Sequence, residues 1–483
     1  MKISTLVSHI HGEAPHAEPE LLESDVTSIA VDSREIGTGG VFFALAQPDY
    51  SNNCFNGDFA DSHPFVADAF ARGATACVVR RDRFDANREL LGKFEGRLIF
   101  VDDCIAAMQR LAHCIYKEWN RPVIGITGSA GKTTAKELTA HVLEASGRRI
   151  LKTFKNYNNG IGLPLTVFSL LSDEKYDAAV LEMGMSTPNR EIARLCTITP
   201  PDIAVELAVL PVHIEHLGTI ENIQKAKREL VEGLKPGGTA VLNADDARVA
   251  AMAGVHHGPV VKYGIEGASD VSATNIRFKR FGETLFTLKT PEGSAEVVFS
   301  LNGRHNIMNA LAAASVGHVM GMTAREIATA LSSVRPPAQR GEVLRFKEGV
   351  TVINDTYNSN PAALVSMVST LKEGSDGATR TIVIAGEMRE LGEDASRMHF
   401  ETGVRIAEIG VDELIGIEGL ARELISGAQS KGLSQATFFA DSAAAADGLK
   451  GHFKSGDLVL VKGSRGVRTE KVVEMILESY TLE

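Results

Sequence analysis

The stretch Val123-Ile-Gly-Ile-Thr-Gly-Ser-Ala-Gly-Lys-Thr-Thr134 constrains this chain more than any other. An apolar, β-branched run passes into a glycine-rich turn, after which Leu138, Val142 and Ala145 recur at helical spacing up to Gly147. Strand, glycine loop, lysine, hydroxyl residue and helix are the parts of a phosphate cradle. Backbone N–H groups and the helix N-terminus face the oxyanions, and the lysine neutralises them. The longer spacing G-x-x-x-x-G-K-[ST] fails, because Ile126 stands where its first glycine belongs. The shorter form Gly128-Ser129-Ala130-Gly131-Lys132-Thr133, followed by Thr134, fits. Lys132 is placed for the terminal phosphates and Thr133 for Mg²⁺, so the loop is read as a nucleotide site.

The chain has 483 residues, enough for about three domains with separate cores. Its net charge is −11 and it carries no basic stripe, which argues against a nucleic-acid partner but not against a small anionic ligand. The five cysteines form no C-x-x-C pair and read as reduced thiols in a cytoplasmic protein. No apolar run is long enough to span a bilayer, and no export signal opens the chain.

Polar residues gather where apolar runs stop. The segment from Gln47 to His63 reads as a loop. Asp32-Ser33-Arg34, directly after a strand, reads equally as a capped turn with a solvated Arg34 or as a grip on an anionic ligand through Ser33 and Arg34. Asn156, Asn158 and Asn159 between the phosphate loop and Pro164 are more amides than a turn requires. Asp177–Gly184 is a buried strand ending in Glu182, and a carboxylate there, one strand on from a phosphate loop, is a Mg²⁺ ligand candidate. Residues from Ile203 form a strand that runs into a loop holding His213. Lys225, Lys227 and Arg228 on the helix from Glu221 to Leu234 read, by composition, as a solvated basic face. Val271–Leu301 has a period of two, the sign of hairpins, and helical spacing returns at Asn306–Met320. Beyond Pro336-Pro337 the alternation of strands and helices resumes. The predicted fold class is α/β in three domains: a small N-terminal α/β domain (1–102), a central ATPase domain with a mostly parallel sheet plus β-hairpins (103–335), and a C-terminal Rossmann-like domain (336–483).

Together these segments resemble the Mur ligases, the ATP-dependent amide-forming enzymes of peptidoglycan synthesis, along essentially the whole chain. The resemblance rests on the short phosphate loop, Asn156-x-Asn158-Asn159-x-Ile161-Gly162-x-Pro164, Leu181-Glu182-Met183-Gly184, His213 with Gly218, and Lys227-x-Glu229. It continues through Gly303-x-His305-Asn306-x-x-Asn309-Ala310, Arg340 and Asp355-x-Tyr357-Asn358-x-Asn360-Pro361. That last motif, and the lack of Asp-Asn-Pro-Arg, are similar to the branch that adds a D-alanyl-D-alanine dipeptide. Ala208 stands five residues before His213, where the family usually has Asn, and the Gln47–His63 loop is longer than expected.

The resemblance implies an ATP-dependent ligase joining D-alanyl-D-alanine to the peptide carboxylate of UDP-N-acetylmuramoyl-tripeptide through an acyl phosphate. It implies ATP and Mg²⁺, with two ions, and a cytoplasmic monomer without membrane insertion. Lys132, Lys227 and His213 are then catalytic, with Lys227 matching a carbamylated lysine. ATP falls to Gly128 through Thr134, Asn306 and Asn309 at the adenine, and Arg340 with Asp355 closing over ribose and phosphate. Metal falls to Thr133, Glu182 and His213. Substrate falls to Ser33, Arg34, Asn158, Asn159, Tyr357, Asn358, Asn360 and Lys462. Two rivals stand beside this reading: another branch of the family or a folate-type polyglutamate ligase, and, in a different class, a nucleotide-gated binding protein that would not need Glu182, His213 and Lys227 together.

Overall fold

Parallel pairing dominates a computed structural model of the chain, which describes residues 1–172, 175–185, 187, 189–211, 219–335, 339–389 and 391–483. Near the N-terminus β1 (Ser28–Ala30), β2 (Gly40–Phe43), β3 (Ala76–Arg80) and β4 (Leu98–Val101) lie in the order β1-β2-β3-β4, all parallel. The phosphate-loop strand is β5 (Val123–Thr127). With β6 (Ile150–Lys152), β7 (Ala178–Glu182), β8 (Ile203–Glu206), β9 (Thr239–Asn243) and β10 (Val260–Gly264) it forms a parallel array ordered β10-β9-β8-β5-β7-β6. Strand order reverses at β5, with later strands placed on both sides of it. In open α/β sheets that is where ligands bind, beyond the carboxyl ends of the strands.

The predicted hairpins are β11 (Val271–Arg280), β12 (Glu283–Thr290) and β13 (Gly293–Phe299), and β12 alternates buried and half-exposed side chains as a half-buried strand must. The last sheet holds β14 (Glu342–Arg345), β15 (Thr351–Asp355), β16 (Arg380–Gly386), β17 (Glu413–Ile417), β18 (Ala436–Phe439) and β19 (Asp457–Lys462), ordered β14-β15-β19-β16-β17-β18. Only β14 is antiparallel to its neighbour there. The chain divides into two compact units. One comprises Met1–Ser272, Lys289–Gly293 and Met308–Ile327, the other Ala273–Leu288, Ser294–Ile307 and Ala328–Glu483.

Within the first unit the N-terminal segment and the phosphate-loop sheet share one apolar core. Ile3, Leu6, Val41 and Val78 belong to the same cluster as Met108, Leu111, Leu181 and Leu195. The helix Cys104–Trp119 supplies the middle of this cluster, burying Ile105, Met108, Leu111 and Ile115 at the predicted spacing, with Asp103 capping it by accepting from the Ala106 N–H.

The Gln47–His63 segment departs from the expected loop, since Gln47–Asn52 is helical. Pro48 suits the first turn, and the Asp49 carboxylate accepts from the Ala46 N–H at 2.8 Å. Asp49 is fully buried and also accepts from the Cys104 N–H at 2.8 Å and pairs with Arg80 at 2.9 Å. Polarity that reads as solvation in the sequence is spent here on internal bonds. Asp49→Ala is therefore expected to cost about 3 kcal/mol, because it strands two buried amides and leaves the Arg80 guanidinium with Asp82 as its one carboxylate among the described residues. Urea unfolding measures this, and a loss under about 1 kcal/mol, typical of an exposed pair, would contradict it.

Candidate active site

The phosphate loop leaves β5, every residue of which is buried. Gly131 takes φ +82°, and a Cβ there would stand 2.5 Å from Asn309 Oδ1, so both the left-handed turn and the close approach demand glycine. The helix Lys132–Glu144 starts at the next residue with no side-chain cap, leaving its first N–H groups for an anion. The loop is stitched to the chain beyond β8: Ser129 N–H donates to the Ala208 carbonyl at 2.8 Å, and the Ser129 hydroxyl bonds the Leu210 backbone. Lys132 is partly buried rather than fully solvated. Its Nζ donates to the Gly128 carbonyl at 2.9 Å, and burial pulls its pKa down against the opposing charge of Glu182.

Glu182 ends β7 beside this loop and is only 3% exposed. The Thr133 hydroxyl donates to its Oε2 at 2.9 Å and Asn158 Nδ2 donates to its Oε1 at 2.8 Å. Its own N–H donates to Thr153 Oγ1 at 2.9 Å, while Lys136, also buried, donates to the Thr153 carbonyl at 2.8 Å. A cavity of about 300 Å³ opens here, lined by Gly131, Lys132, Thr133, Thr134, Asn158 and Glu182. The sequence predicts Glu182, Thr133 and Asn158 separately, and the fold brings them together. Hydroxyl, carboxylate and amide oxygens are hard donors suited to Mg²⁺, which takes few protein ligands and draws the rest from phosphate and water. Among the described residues no three His, Cys, Asp or Glu side chains gather to chelate an ion. His213 lies outside the described residues.

Lys227 overturns the solvated-face expectation. It is 2% exposed, on the helix Ile220–Glu232, which packs against β5 and β8. Its Nζ lies 3.4 Å from Thr127 Oγ1, and burial together with nearby Lys132 lowers its pKa to about 8, against the pull of Glu206 and Glu182. Glu206, last residue of β8, is fully buried, and burial pushes its carboxyl well above the usual carboxylate range. Sequence reading passed over Glu206. The signal was present, since a carboxylate closes the otherwise apolar Ile203-Ala-Val run.

The remaining candidates divide by element. Asn159 Oδ1 accepts from the Ile161 and Gly162 N–H groups and so shapes its own turn. Asn309 lies against Gly131, at the phosphate loop itself, and Asn306 donates to the Asn302 carbonyl. Arg34 forks onto Asp32, holding that carboxyl at about 2, while Ser33 is buried beside them. In the C-terminal sheet Lys462 Nζ donates to Asp355 Oδ2 at 2.6 Å and to the Asn358 carbonyl at 2.8 Å. Burial raises the Asp355 pKa against the pull of Lys462. The Arg340 guanidinium lies 3.8 Å over the Tyr357 ring. Asn360 caps the helix Pro361–Glu373 by accepting from the Ala363 N–H. A separate cavity of about 410 Å³ lies at the amino ends of β2, β3 and β4, and Arg97 beside it already donates to the Thr75 carbonyl.

Residues 126–317 match the Mur ligase middle domain, and residues 339–465 match the Mur ligase glutamate ligase domain. The UDP-N-acetylmuramoyl-tripeptide–D-alanyl-D-alanine ligase of Bacillus subtilis is 31% identical, aligned over 96% of each chain. A crystal structure of MurF from Acinetobacter baumannii superposes with a TM-score of 0.79 at 26% identity, covering 99% of this chain and 98% of that one. MurF from Thermotoga maritima, solved in complex with ADP, gives 0.72 at 28% identity over 96% and 99%. Since the likeness runs the length of both chains and includes the phosphate loop with its Glu182 partner, this chain belongs to the Mur ligase family.

Proposed function

We propose that this protein joins D-alanyl-D-alanine to the terminal carboxylate of UDP-N-acetylmuramoyl-tripeptide, with ATP, in the cytoplasmic assembly of peptidoglycan precursor, acting as a monomer. The observation that carries the reading is the Thr133–Glu182–Asn158 cluster at the phosphate loop, in a chain similar over nearly its whole length to ligases of that name. We assign the sugar-nucleotide substrate to 1–102, ATP to 103–335 and the acceptor to 336–483; one sheet in each span supports that division.

The chemistry is two displacements. A tripeptide carboxylate oxygen attacks the γ-phosphorus of ATP, the bond to ADP breaks, and an acyl phosphate forms. The dipeptide amine then attacks the acyl carbon, loses a proton, and phosphate leaves with the C–O bond electrons. Such transfers need positioning and charge stabilisation more than a protein nucleophile. Lys132 and the loop N–H groups hold the β- and γ-phosphates. Thr133 and Glu182, with His213, hold Mg²⁺, which when bound neutralises charge developing on the phosphates. Asn306, Asn309, Arg340 and Asp355 hold the rest of ATP. Ser33, Arg34, Asn158, Asn159, Tyr357, Asn358, Asn360 and Lys462 hold the substrates. Lys227 carries a carbamate, so an anion stands where the sequence writes a cation. Burial and nearby Lys132 lower the Lys227 pKa, so its neutral amine is more populated near neutral pH than that of an ordinary lysine. Only that form adds CO₂.

Phosphate release with UDP-N-acetylmuramoyl-tripeptide should require D-alanyl-D-alanine, with D-Glu, L-Ala and L-Glu inert as acceptors. Equal rates with L-Glu would favour the folate-type rival, and nucleotide binding without turnover would favour the binding protein. Lys132→Ala should lose about 10³-fold or more in rate while staying folded. Turnover within about tenfold of the parent would sink the phosphate assignment.

Glu182→Gln keeps the shape of the side chain but removes its charge and turns one of its two acceptor oxygens into a donor. The Mg²⁺ concentration for half-maximal rate should rise, with affinity for the UDP-sugar nearly unchanged. An unaltered metal dependence would reduce Glu182 to a structural acceptor.

Lys227→Ala should lose most activity, and a short carboxylic acid at high concentration should restore part of it. Lys227→Arg should stay inactive, because a guanidinium keeps its proton and takes up no CO₂. A Lys227→Arg variant as active as the parent would mean that only positive charge is needed.

A further inference from the structure

Glu206 has no role in the reaction as derived above, yet its placement is costly. The side chain is fully buried, and neither carboxylate oxygen has a hydrogen-bond partner among the described residues. An unpaired carboxylate in such a place is among the least favourable groups a fold can bury. Its position is fixed by the sheet. Glu206 is in register with Thr127 across the parallel β5–β8 pair, so both side chains rise from the same face.

Lys227 descends onto that face from the helix above. Among the described residues its Nζ makes one contact at the edge of hydrogen-bonding range, 3.4 Å to Thr127 Oγ1, although an ammonium has three donors to place. Glu206 pulls on Lys227 electrostatically, but the two do not bond directly. Two buried side chains of opposite nominal charge thus converge beside the phosphate loop, and among the described residues each is short of partners. A small planar anion attached to Nζ would satisfy both.

We propose that Glu206 is the positioning residue for the Lys227 carbamate, donating the O–H of its carboxyl group to a carbamate oxygen. The inference rests on the carbamate reading of Lys227. In that step the Nζ lone pair attacks the carbon of dissolved CO₂ and an N–C bond forms. One C=O π pair moves onto oxygen, and the displaced N–H proton leaves to water. The product presents two acceptor oxygens. A second anion beside it would repel it, so Glu206 serves as the neutral acid, the form that burial and the charge of nearby Asp246 also favour. Asp246 itself is occupied, accepting from the Val209 N–H at 2.8 Å.

The test is carbamate occupancy, read directly by ¹³C NMR of the full-length protein titrated with ¹³C-bicarbonate and checked against the bicarbonate dependence of activity. The parent should show a carbamate resonance that Lys227→Arg lacks. Glu206→Gln retains an N–H donor and should hold the CO₂ needed for half-occupancy within about threefold. Glu206→Leu has no donor and should raise it by about tenfold or more, the size of a hydrogen bond to a charged group. Without added CO₂ its melting temperature should stay level or rise, since an unpaired buried carboxyl has been removed. Glu206→Met, unbranched and closer in length to Glu, carries the same expectation if the Leu variant does not fold. A parent resonance with unchanged CO₂ affinity in the Leu or Met variant overturns the role of Glu206 and leaves the carbamate standing. A parent without the resonance at saturating bicarbonate overturns both.

Discussion

Glu182 is a carboxylate buried at the end of a strand with both of its oxygens occupied, and those two bonds organise the segments around it. One oxygen takes the hydroxyl at the start of the phosphate-loop helix, the other takes an amide from the Asn-rich loop. The backbone of Glu182 is held by Thr153, whose carbonyl also receives the buried Lys136. Three segments distant in sequence are thereby fixed around one cavity: residues 131–134, residues 153–158 and the end of β7. The oxygens that line this cavity are therefore oriented in advance, an arrangement that leaves little reorganisation for a group that enters it.

Charge near the loop is arranged with equal economy. Lys132 and Lys227 repel one another, and both are buried enough that their ammonium forms are disfavoured. For Lys132 the opposing pull of Glu182 favours the cation. For Lys227 the same burial favours the free amine, which is nucleophilic. The two lysines thus meet different surroundings, since Lys132 lines the cavity and Lys227 lies buried on a helix packed against β5 and β8. Composition carries no information about this, since both are simply Lys in polar surroundings of the sequence.

That difference marks the boundary of what the sequence reveals. The phosphate loop, the helix Cys104–Trp119 and the long hairpin strands were legible because local periodicity and glycine chemistry agree with the tertiary structure there. Glu182 was legible because it closes an apolar run. Gln47–Asn52 was hidden because its Asp49 side chain bonds inward, to Arg80 and the Cys104 N–H, rather than to water. The burial of Lys227 was hidden because it depends on which face of its helix meets β5 and β8. Short strands such as β6, β14 and β18 offer three or four residues each, too few for a period to declare itself.

The functional residues appear as separate motifs because parallel strands all end on one side of their sheet. Each βα unit contributes one strand end, so the site is sampled once per unit, tens of residues apart. The C-terminal sheet follows the same rule. Asp355 and Lys462 are 107 residues apart in sequence yet are register partners at the ends of β15 and β19, and their 2.6 Å contact is a direct consequence of that register. A slip of one residue would turn either side chain to the opposite face of the sheet and leave a buried charge without its counter-ion. The apolar pattern that pins β15 and β19 into the core therefore also fixes the geometry of the ion pair. In this sheet packing and chemistry are specified by the same residues.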